Sequence, residues 1–379
     1  RFWWPMLRTS ILSAFVFTFI FSFTSFALVR WLAPEYWTIE SLMAIEGGAA
    51  GIPGYREDVS LLVLGGATLQ GIVLLMALGM AGKWQQKQFY EIELVSEHYA
   101  RKTIGKPNLL QRVGIFSACI FALAPLFLMG LASVRIRDRT SDSYHWSTEA
   151  WRYAFDGNLT YASVPEALTN SLFYAIGCLL VACILGFFVA QTIHSLEERN
   201  KPKLAQTIDV LSMLPLALSG VMVGLGVLLG ILKVWPALFS WYALPILPHA
   251  MLTTPFVVRI LLPAMREIDS EYEEAGKILG YNQYQRFFRI KIPLLKPHLV
   301  VAAALSMAFS LGEFGASWIL LRSGAWDTLP VLVDQLMSRP KYFQLVEPIA
   351  MATATVLMCL TFLLFVIAER FRSHQGGGF

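Results

Sequence analysis

Charge is what this sequence has least of. Only 15% of its 379 residues are Asp, Glu, Lys or Arg, against 56% hydrophobic residues, whereas soluble domains carry roughly a quarter charged residues. Mean hydropathy is +0.56. Several stretches of about 20 apolar residues require lipid as their solvent, which excludes a globular cytosolic enzyme. Cysteine is scarce too. Cys119, Cys178, Cys183 and Cys359 all lie in apolar stretches and none forms a CxxC pair, so neither a disulfide scaffold nor a zinc site is indicated. They read as small core residues. A net charge of +4 leaves no electrostatic footprint for nucleic acid. Catalytic motifs are missing as well: there is no GxxxxGK[ST], HExxH or GxSxG, and Gly79-Met80-Ala81-Gly82-Lys83 lacks both the phosphate-loop spacing and its Ser or Thr. No enzyme and no cofactor are expected in this chain. The first residue is Arg1 and no signal-peptide pattern precedes the first apolar stretch, so more chain is expected upstream.

What is present is a polytopic, all-α membrane pattern. Eight candidate spans can be drawn: Ile11–Leu28, Val59–Met80, Val113–Val134, Leu168–Ile193, Ile208–Ile231, Ala237–Leu262, Leu299–Leu320 and Pro348–Ala368. With the 263–298 loop inside the cell, 19 Lys and Arg fall in cytoplasmic segments and 10 outside, with Arg259 near a span end. Positive loops are retained in the cytoplasm, so this orientation is favoured and puts the C-terminus inside as well. Arg135, Arg137, Arg139 and Arg152 in the outer 135–167 loop work against it.

Self-comparison finds a repeat. Residues 1–28 align without gaps on 289–316, with Arg1, Pro5, Leu7, Ala14, Phe21, Ser22 and Phe26 identical to Arg289, Pro293, Leu295, Ala302, Phe309, Ser310 and Phe314. Both copies enter from the same side, so the repeat is parallel, with a pseudo-two-fold axis along the membrane normal. Three regions are expected: 1–80 as the last two spans of an incomplete first copy, 81–112 as a cytoplasmic linker, and 113–379 as a complete six-span second copy. About four spans and a cytoplasmic segment should precede Arg1.

The most informative residues lie at 267–297. A helix is expected to start around Ile268-Asp269-Ser270, where Asp or Ser can cap free amides and Glu271, Glu273 and Glu274 complement the dipole. Gly280 supplies a turn. A second amphipathic stretch carries Phe287, Ile290 and Leu294 among Arg286, Arg289 and Lys291, and ends at Pro293. Glu274-Ala275-Gly276, three residues, Gly280, nine residues, then Ile290-Lys291-Ile292-Pro293 resembles the EAA loop of binding-protein-dependent ABC importer permeases, with Gly276 and Ile292 standing where Ala and Leu are usual. TNSLFYAI at 169–176, LPLALSGVMVGLGVLL at 214–229 and SLGEFGAS at 310–317 are similar to other segments of that family.

The resemblance implies a transport subunit rather than an enzyme. Its expected partners are a cytoplasmic ABC ATPase dimer, which would bind ATP and Mg, and an external solute-binding protein that delivers a small solute. Glu274, Ala275, Gly276, Gly280, Ile290 and Pro293 would form the ATPase-coupling element. Small residues at Ala275 and Gly276 would let the ATPase approach closely. Two fused halves resemble the ferric-iron and thiamine branch best, and FTSFALV at 23–29 followed by Thr38-Ile39-Glu40 leans toward thiamine. An ion-coupled secondary transporter with parallel repeats is the alternative.

Candidate path residues are Glu313, Pro215, Gly220, Gly224 and Ser25. Glu313 is the only acidic residue well inside a span, and an intramembrane carboxylate is costly enough to suggest function. It could contact solute, or it could be tied to backbone amides freed near Gly312 and Gly315. Ser25 is its repeat counterpart. Gly220, Gly224, Gly226 and Gly230 give small-xxx-small spacings that suit close helix packing or path lining. Pro215, Pro245, Pro248 and Pro255 are expected to kink helices. His249 reads as a packed, hydrogen-bonded residue, with path lining as its alternative.

Overall fold

The computed structural model describes residues 3–33, 35–49, 61, 63–77, 79–80, 108–138, 141–157, 162–268, 270–320, 326–340 and 343–373. Two compact units emerge, Arg1–Leu131 with Ala217–Ser219, and Ala132–Leu216 with Gly220–Phe379. The boundary falls at the end of the third apolar stretch, whereas the sequence reading placed it ahead of that stretch. Apart from 108–112, the expected linker lies outside the described residues.

In the first unit, α1 (Trp3–Phe23) and α2 (Phe26–Leu32) form a span bent by 59° at Thr24–Ser25. Thr24 Oγ1 donates back to the Ile20 carbonyl at 2.9 Å, a local bond that competes with helix continuation. Next comes α3 (Ile39–Ala49), started by reciprocal bonds between Thr38 and Ser41, with N–H to hydroxyl distances of 2.8 and 3.2 Å. The unit's small core joins Val16 and Ile20 of α1 to Leu74 and Ala77 of α4 (Val63–Ala77). Glu40, buried on α3, accepts from Gln70 Nε2 at 2.5 Å. The apolar α5 (Leu109–Ala132) contributes no buried residue.

The second unit opens with an antiparallel hairpin, β1 (Arg135–Asp138) and β2 (Ser143–Trp146). After α6 (Glu149–Asp156), the 35-residue α7 (Val164–Glu198) starts at a capping box between Ser163 and Glu166, which satisfies amides that would otherwise be orphaned. Then follow α8 (Pro202–Met213), a 3₁₀ turn (Leu214–Ala217), α9 (Gly220–Gly226), a π turn (Val227–Ile231), α10 (Leu232–Val234), a second 3₁₀ turn (Pro236–Ser240) and α11 (Ile246–Glu267). The chain continues through α12 (Ser270–Ile278), α13 (Gln283–Arg286), a π turn (Phe287–Lys291), α14 (Ile292–Gly312), α15 (Gly315–Leu320), α16 (Leu329–Met337) and α17 (Val346–Ser373). Cys178, Ala182 and Ala190 of α7 pack with Val257, Leu261 and Met265 of α11 and with Leu295 and Ala302 of α14. A second cluster joins Ala150 and Ala154 of α6, Ala167 of α7, Leu332 and Leu336 of α16, and Ile349 of α17.

The fold is polytopic and all-α apart from the hairpin. Among the described residues, five helices are long and apolar enough to cross a membrane, and the bent α1–α2 pair makes six, against the eight spans drawn on hydropathy. The stretch expected as one span over 208–231 is divided among α8, a 3₁₀ turn, α9 and a π turn. The span expected to begin at Ala237 begins instead at Ile246, with Pro245 as its N-cap residue. Proline fits the first turn of a helix, where its missing N–H costs nothing, so Pro245 and Pro248 mark a start and do not kink the helix. Pro255 does lie inside α11. Pro293 does not terminate a helix either: residues 283–312 run as one apolar 30-residue stretch, and the π turn just ahead of Pro293 accommodates the missing donor.

Candidate functional site

Two regions carry the candidate residues. The first is the helix-turn-helix after α11. Helix α12 ends in two nested bonds, Gly280 N–H to the Lys277 carbonyl at 3.0 Å and Tyr281 N–H to the Gly276 carbonyl at 2.9 Å. This is a Schellman closure. It needs a left-handed residue, and Gly280 supplies it at φ +73° without the penalty a Cβ would bring. The second helix starts at a capping box, where Gln285 N–H donates to Asn282 Oδ1 at 2.8 Å and Asn282 N–H to Gln285 Oε1 at 2.9 Å. Arg286 Nη1 reaches back to the Tyr281 carbonyl at 3.1 Å.

Inside this loop the small residues divide their roles. Gly276 is buried, and a Cβ on it would stand 2.7 Å from Ile290 Cδ1 and 3.1 Å from Arg286 Cγ. Its smallness lets the two helices of the loop close on each other, which corrects the expectation that it serves approach by a partner. Glu274, Ala275 and Pro293 are exposed, and so are Ile278, Leu279 and Tyr284. A short element that turns large apolar side chains outward presents a surface for a protein partner.

The second region lies where two broken spans meet. Helix α14 stops at Gly312 and α15 starts at Gly315. Across the gap, the Glu313 carboxylate accepts from Ala316 N–H at 3.0 and 3.1 Å and from Ser317 N–H at 3.1 Å. It therefore satisfies amides that the break leaves unpaired. His249 of α11 is 1% exposed. Its Nδ1 lies 2.8 Å from Ser310 Oγ, its Nε2 2.9 Å from Ser317 Oγ and 3.4 Å from Glu313 Oε2. His249 is thus packed and hydrogen-bonded on both ring nitrogens, and it ties α11 to both sides of the break.

Helix α9 closes the cluster. A Cβ on Gly220 would collide with Glu313 Oε1, and one on Gly224 would lie 2.9 Å from Ala316 Cα. Gly226 and Gly230 meet nothing within 4 Å, so only the first half of the glycine series serves close packing. Of the other candidates, Pro215 sits half-buried in the 3₁₀ turn ahead of α9. Ser25 belongs to the first unit, at the α1–α2 break, where its side chain makes no cap bond. Ser25 and Glu313 both lie at helix breaks, but only Glu313 fills its break with a carboxylate.

Sequence reasoning missed a third constellation, opposite the helix-turn-helix along α11. Asn170 Nδ2 donates to the Asp327 carbonyl at 3.0 Å, and Tyr242 Oη donates to Asn170 Oδ1 at 2.5 Å. Ser171 Oγ accepts from Leu329 N–H at 2.9 Å, and Asp327 Oδ2 accepts from Gln335 Nε2 at 2.8 Å. The Asn-Ser pair inside TNSLFYAI is the signal that could have found it: both side chains pin the segment that starts α16.

Comparison with known proteins bears on the whole arrangement. Residues 182–374 match the family described as "Binding-protein-dependent transport system inner membrane component". The chain is 29% identical over 286 residues to the sulfate transport system permease protein CysT of Escherichia coli (strain K12), covering 73% of this chain and 96% of that protein. It is 26% identical over 219 residues to the putative 2-aminoethylphosphonate transport system permease protein PhnV of Salmonella paratyphi A (strain ATCC 9150 / SARB42), covering 58% of this chain and 79% of that one. The sulfate transport system permease protein CysW of Synechocystis sp. (strain ATCC 27184 / PCC 6803 / Kazusa) is 31% identical over 195 residues, 48% of this chain and 68% of its own.

Proposed function

Since the chain belongs to the binding-protein-dependent transport system inner membrane components, we propose that it is the permease of an ATP-driven importer carrying a small tetrahedral oxyanion of the sulfate or phosphonate kind. Membership in that family replaces the ion-coupled secondary-transporter alternative. Sulfate and 2-aminoethylphosphonate are what the relatives' names state, and those names lend no support to the thiamine or ferric-iron reading. The similarity to a sulfate permease over 96% of that protein's length is the observation that carries the oxyanion assignment.

The reading gives each region a role. An ATPase dimer docks against exposed Glu274, Ala275, Ile278 and Leu279 on α12, while Gly276, Gly280 and Ile290 hold the loop's shape. Movement of that loop passes along the continuous 283–312 helix to the break at Glu313. There, α9, α11 and α15 form one wall of the path, and Glu313 acts as its brace, because backbone amides and His249 already occupy its carboxylate. A free carboxylate facing the path would repel an oxyanion; one consumed by amides does so less. Loop 263–298 and the C-terminus lie in the cytoplasm. Helix breaks at Ser25 and Glu313, each followed by a short helix, α2 and α15, support the parallel repeat and with it the reading of 1–80 as part of a first permease half.

The test is ATP hydrolysis by the permease reconstituted with its ATPase and its solute-binding protein. Stimulation is expected when the binding protein is loaded with sulfate or a phosphonate. Stimulation by thiamine or ferric iron instead would overturn the oxyanion reading.

A further inference from the structure

The buried polar seat at the end of the molecule opposite the coupling loop has no assigned role. It lies just ahead of α11, whose 22 residues span about 33 Å before the loop begins. Three separate elements meet there: the start of α7 through Asn170 and Ser171, the turn before α11 through Tyr242, and the segment leading into α16 through Asp327, Thr328 and Gln335. Trp326 closes over it, its ring 5.8 Å from that of Tyr242.

The accounting of hydrogen bonds at this seat is incomplete. Asp327 and Thr328 are 1% and 3% exposed. Asp327 Oδ1, Thr328 Oγ1 and Gln335 Oε1 are all buried without a hydrogen-bond partner. A buried acceptor left unpaired is costly, and Asp327 Oδ1 and Gln335 Oε1 are both such acceptors, while the Thr328 hydroxyl can donate or accept. Asp327 Oδ1 accepts from none of the hydroxyls around it, the Thr328 and Tyr174 O–H groups included. Among the described residues no Lys or Arg supplies a donor to Asp327 Oδ1; the ionisable groups at this end of the packed elements are Glu166 and Tyr174 of α7, Tyr242, Asp334 of α16 and Glu347 of α17. Glu166 is taken up in the α7 cap, Asp334 accepts from Trp318 Nε1, and Glu347 is exposed.

We propose that the Asp327 carboxyl is a proton-binding site, and that its proton fastens α7, the turn before α11 and the start of α16 into a latch on the outer side of the transporter. The protonated carboxyl leaves no buried charge to be paired, and its O–H can itself donate within the seat. Loss of the proton puts a charge into a buried seat that offers it one hydrogen bond, from Gln335. Ionisation therefore favours entry of water and separation of the three elements. Burial pushes this carboxyl up to about 6, with the Gln335 bond acting against the rise, which places the transition where the outside of a cell can drive it. The outer position rests on the orientation proposed above; the proton site itself does not.

Infrared difference spectroscopy on the purified permease–ATPase complex tests the site directly. A protonated-carboxyl carbonyl band is expected at low pH, lost on titration through about 6 and absent from Asp327→Asn. In Gln335→Met, which removes the one bond to the charged form, the band should persist to higher pH. No such band in the wild type, or an unaltered band in Asp327→Asn, overturns the proposal. So does a transition that follows sodium concentration in place of pH. The latch is read from solute uptake into proteoliposomes: uptake should rise about fourfold between pH about 5.5 and about 7.5, the ratio of ionised carboxyl at the two values, and stay at the low-pH level throughout in Asp327→Asn. A wild-type carboxyl band with pH-independent uptake would overturn the latch and keep the site. Absence of uptake with any oxyanion, while the band titrates, would count against the oxyanion reading alone.

Discussion

Gly220 and Glu313 share a space that holds one of them only because the other has no side chain. Gly220→Ala should drive the carboxylate off the Ala316 and Ser317 amides, an overpacking cost of about 1–3 kcal/mol, seen as a lower melting temperature of the purified protein. Glu313→Gln keeps one oxygen as an acceptor for those amides, so it should cost less than Gly220→Ala. If Glu313→Gln melted far below Gly220→Ala, the negative charge itself, paired with His249, would be the dominant feature. Asp327 adds a pH term to stability. Its carboxyl rises from 3.8 to about 6. Between those values the folded chain holds a proton that the unfolded chain has released, so stability falls as pH rises through the window. Above it, the loss stays near 3 kcal/mol, about two units at 1.36 kcal/mol each. Asp327→Asn should abolish this slope, measured by melts at pH about 4.5 and about 7.

Among the elements, the coupling loop was the most legible and the broken spans the least. The loop is short, and its chemistry is local: an acidic first turn, a glycine that must be left-handed, a proline near the start of the next span. Those constraints act over neighbouring residues and leave a fixed spacing. Which face each residue takes is a tertiary matter, and here spacing misassigned Gly276, because Ile290, fourteen residues on, decides it. Hydropathy averaged over a window cannot see a short break whose residues are themselves apolar. It therefore joined α8 to the π turn after α9 and placed the start of α11 nine residues early. The loop's division of labour can be tested by two substitutions. Gly276→Val meets Ile290 and should open the helix pair, lowering both loop stability and ATPase association. Glu274→Lys, on an exposed residue, should leave the loop folded and remove ATPase association alone. Protease sensitivity of the loop distinguishes them, cleavage rising in the first variant and not in the second.

For the whole molecule, orientation is the property on which both the coupling role and the outer latch depend. The charge balance of 19 inside to 10 outside favours a cytoplasmic coupling loop, against the pull of Arg135 and Arg137. In the proposed orientation, the hairpin accounts for how those two charges are tolerated outside. Arg137 is paired with Asp142 at 2.7 Å, and Arg135 lies 3.7 Å over the face of Tyr144, so each is held at a folded site and neither forms part of a loose basic segment of the kind that retains a loop in the cytoplasm. All four native cysteines are free, so they can be replaced without breaking a bond and single cysteines introduced as side markers. Lys277→Cys in α12 should react with an impermeant maleimide only after cells are opened, and Tyr144→Cys in β2 should react in intact cells. Labelling of Lys277→Cys in intact cells would invert the topology. The exposed face of α12 could then not serve a cytoplasmic ATPase, and the Asp327 seat would face the cytoplasm, where external pH could not work it.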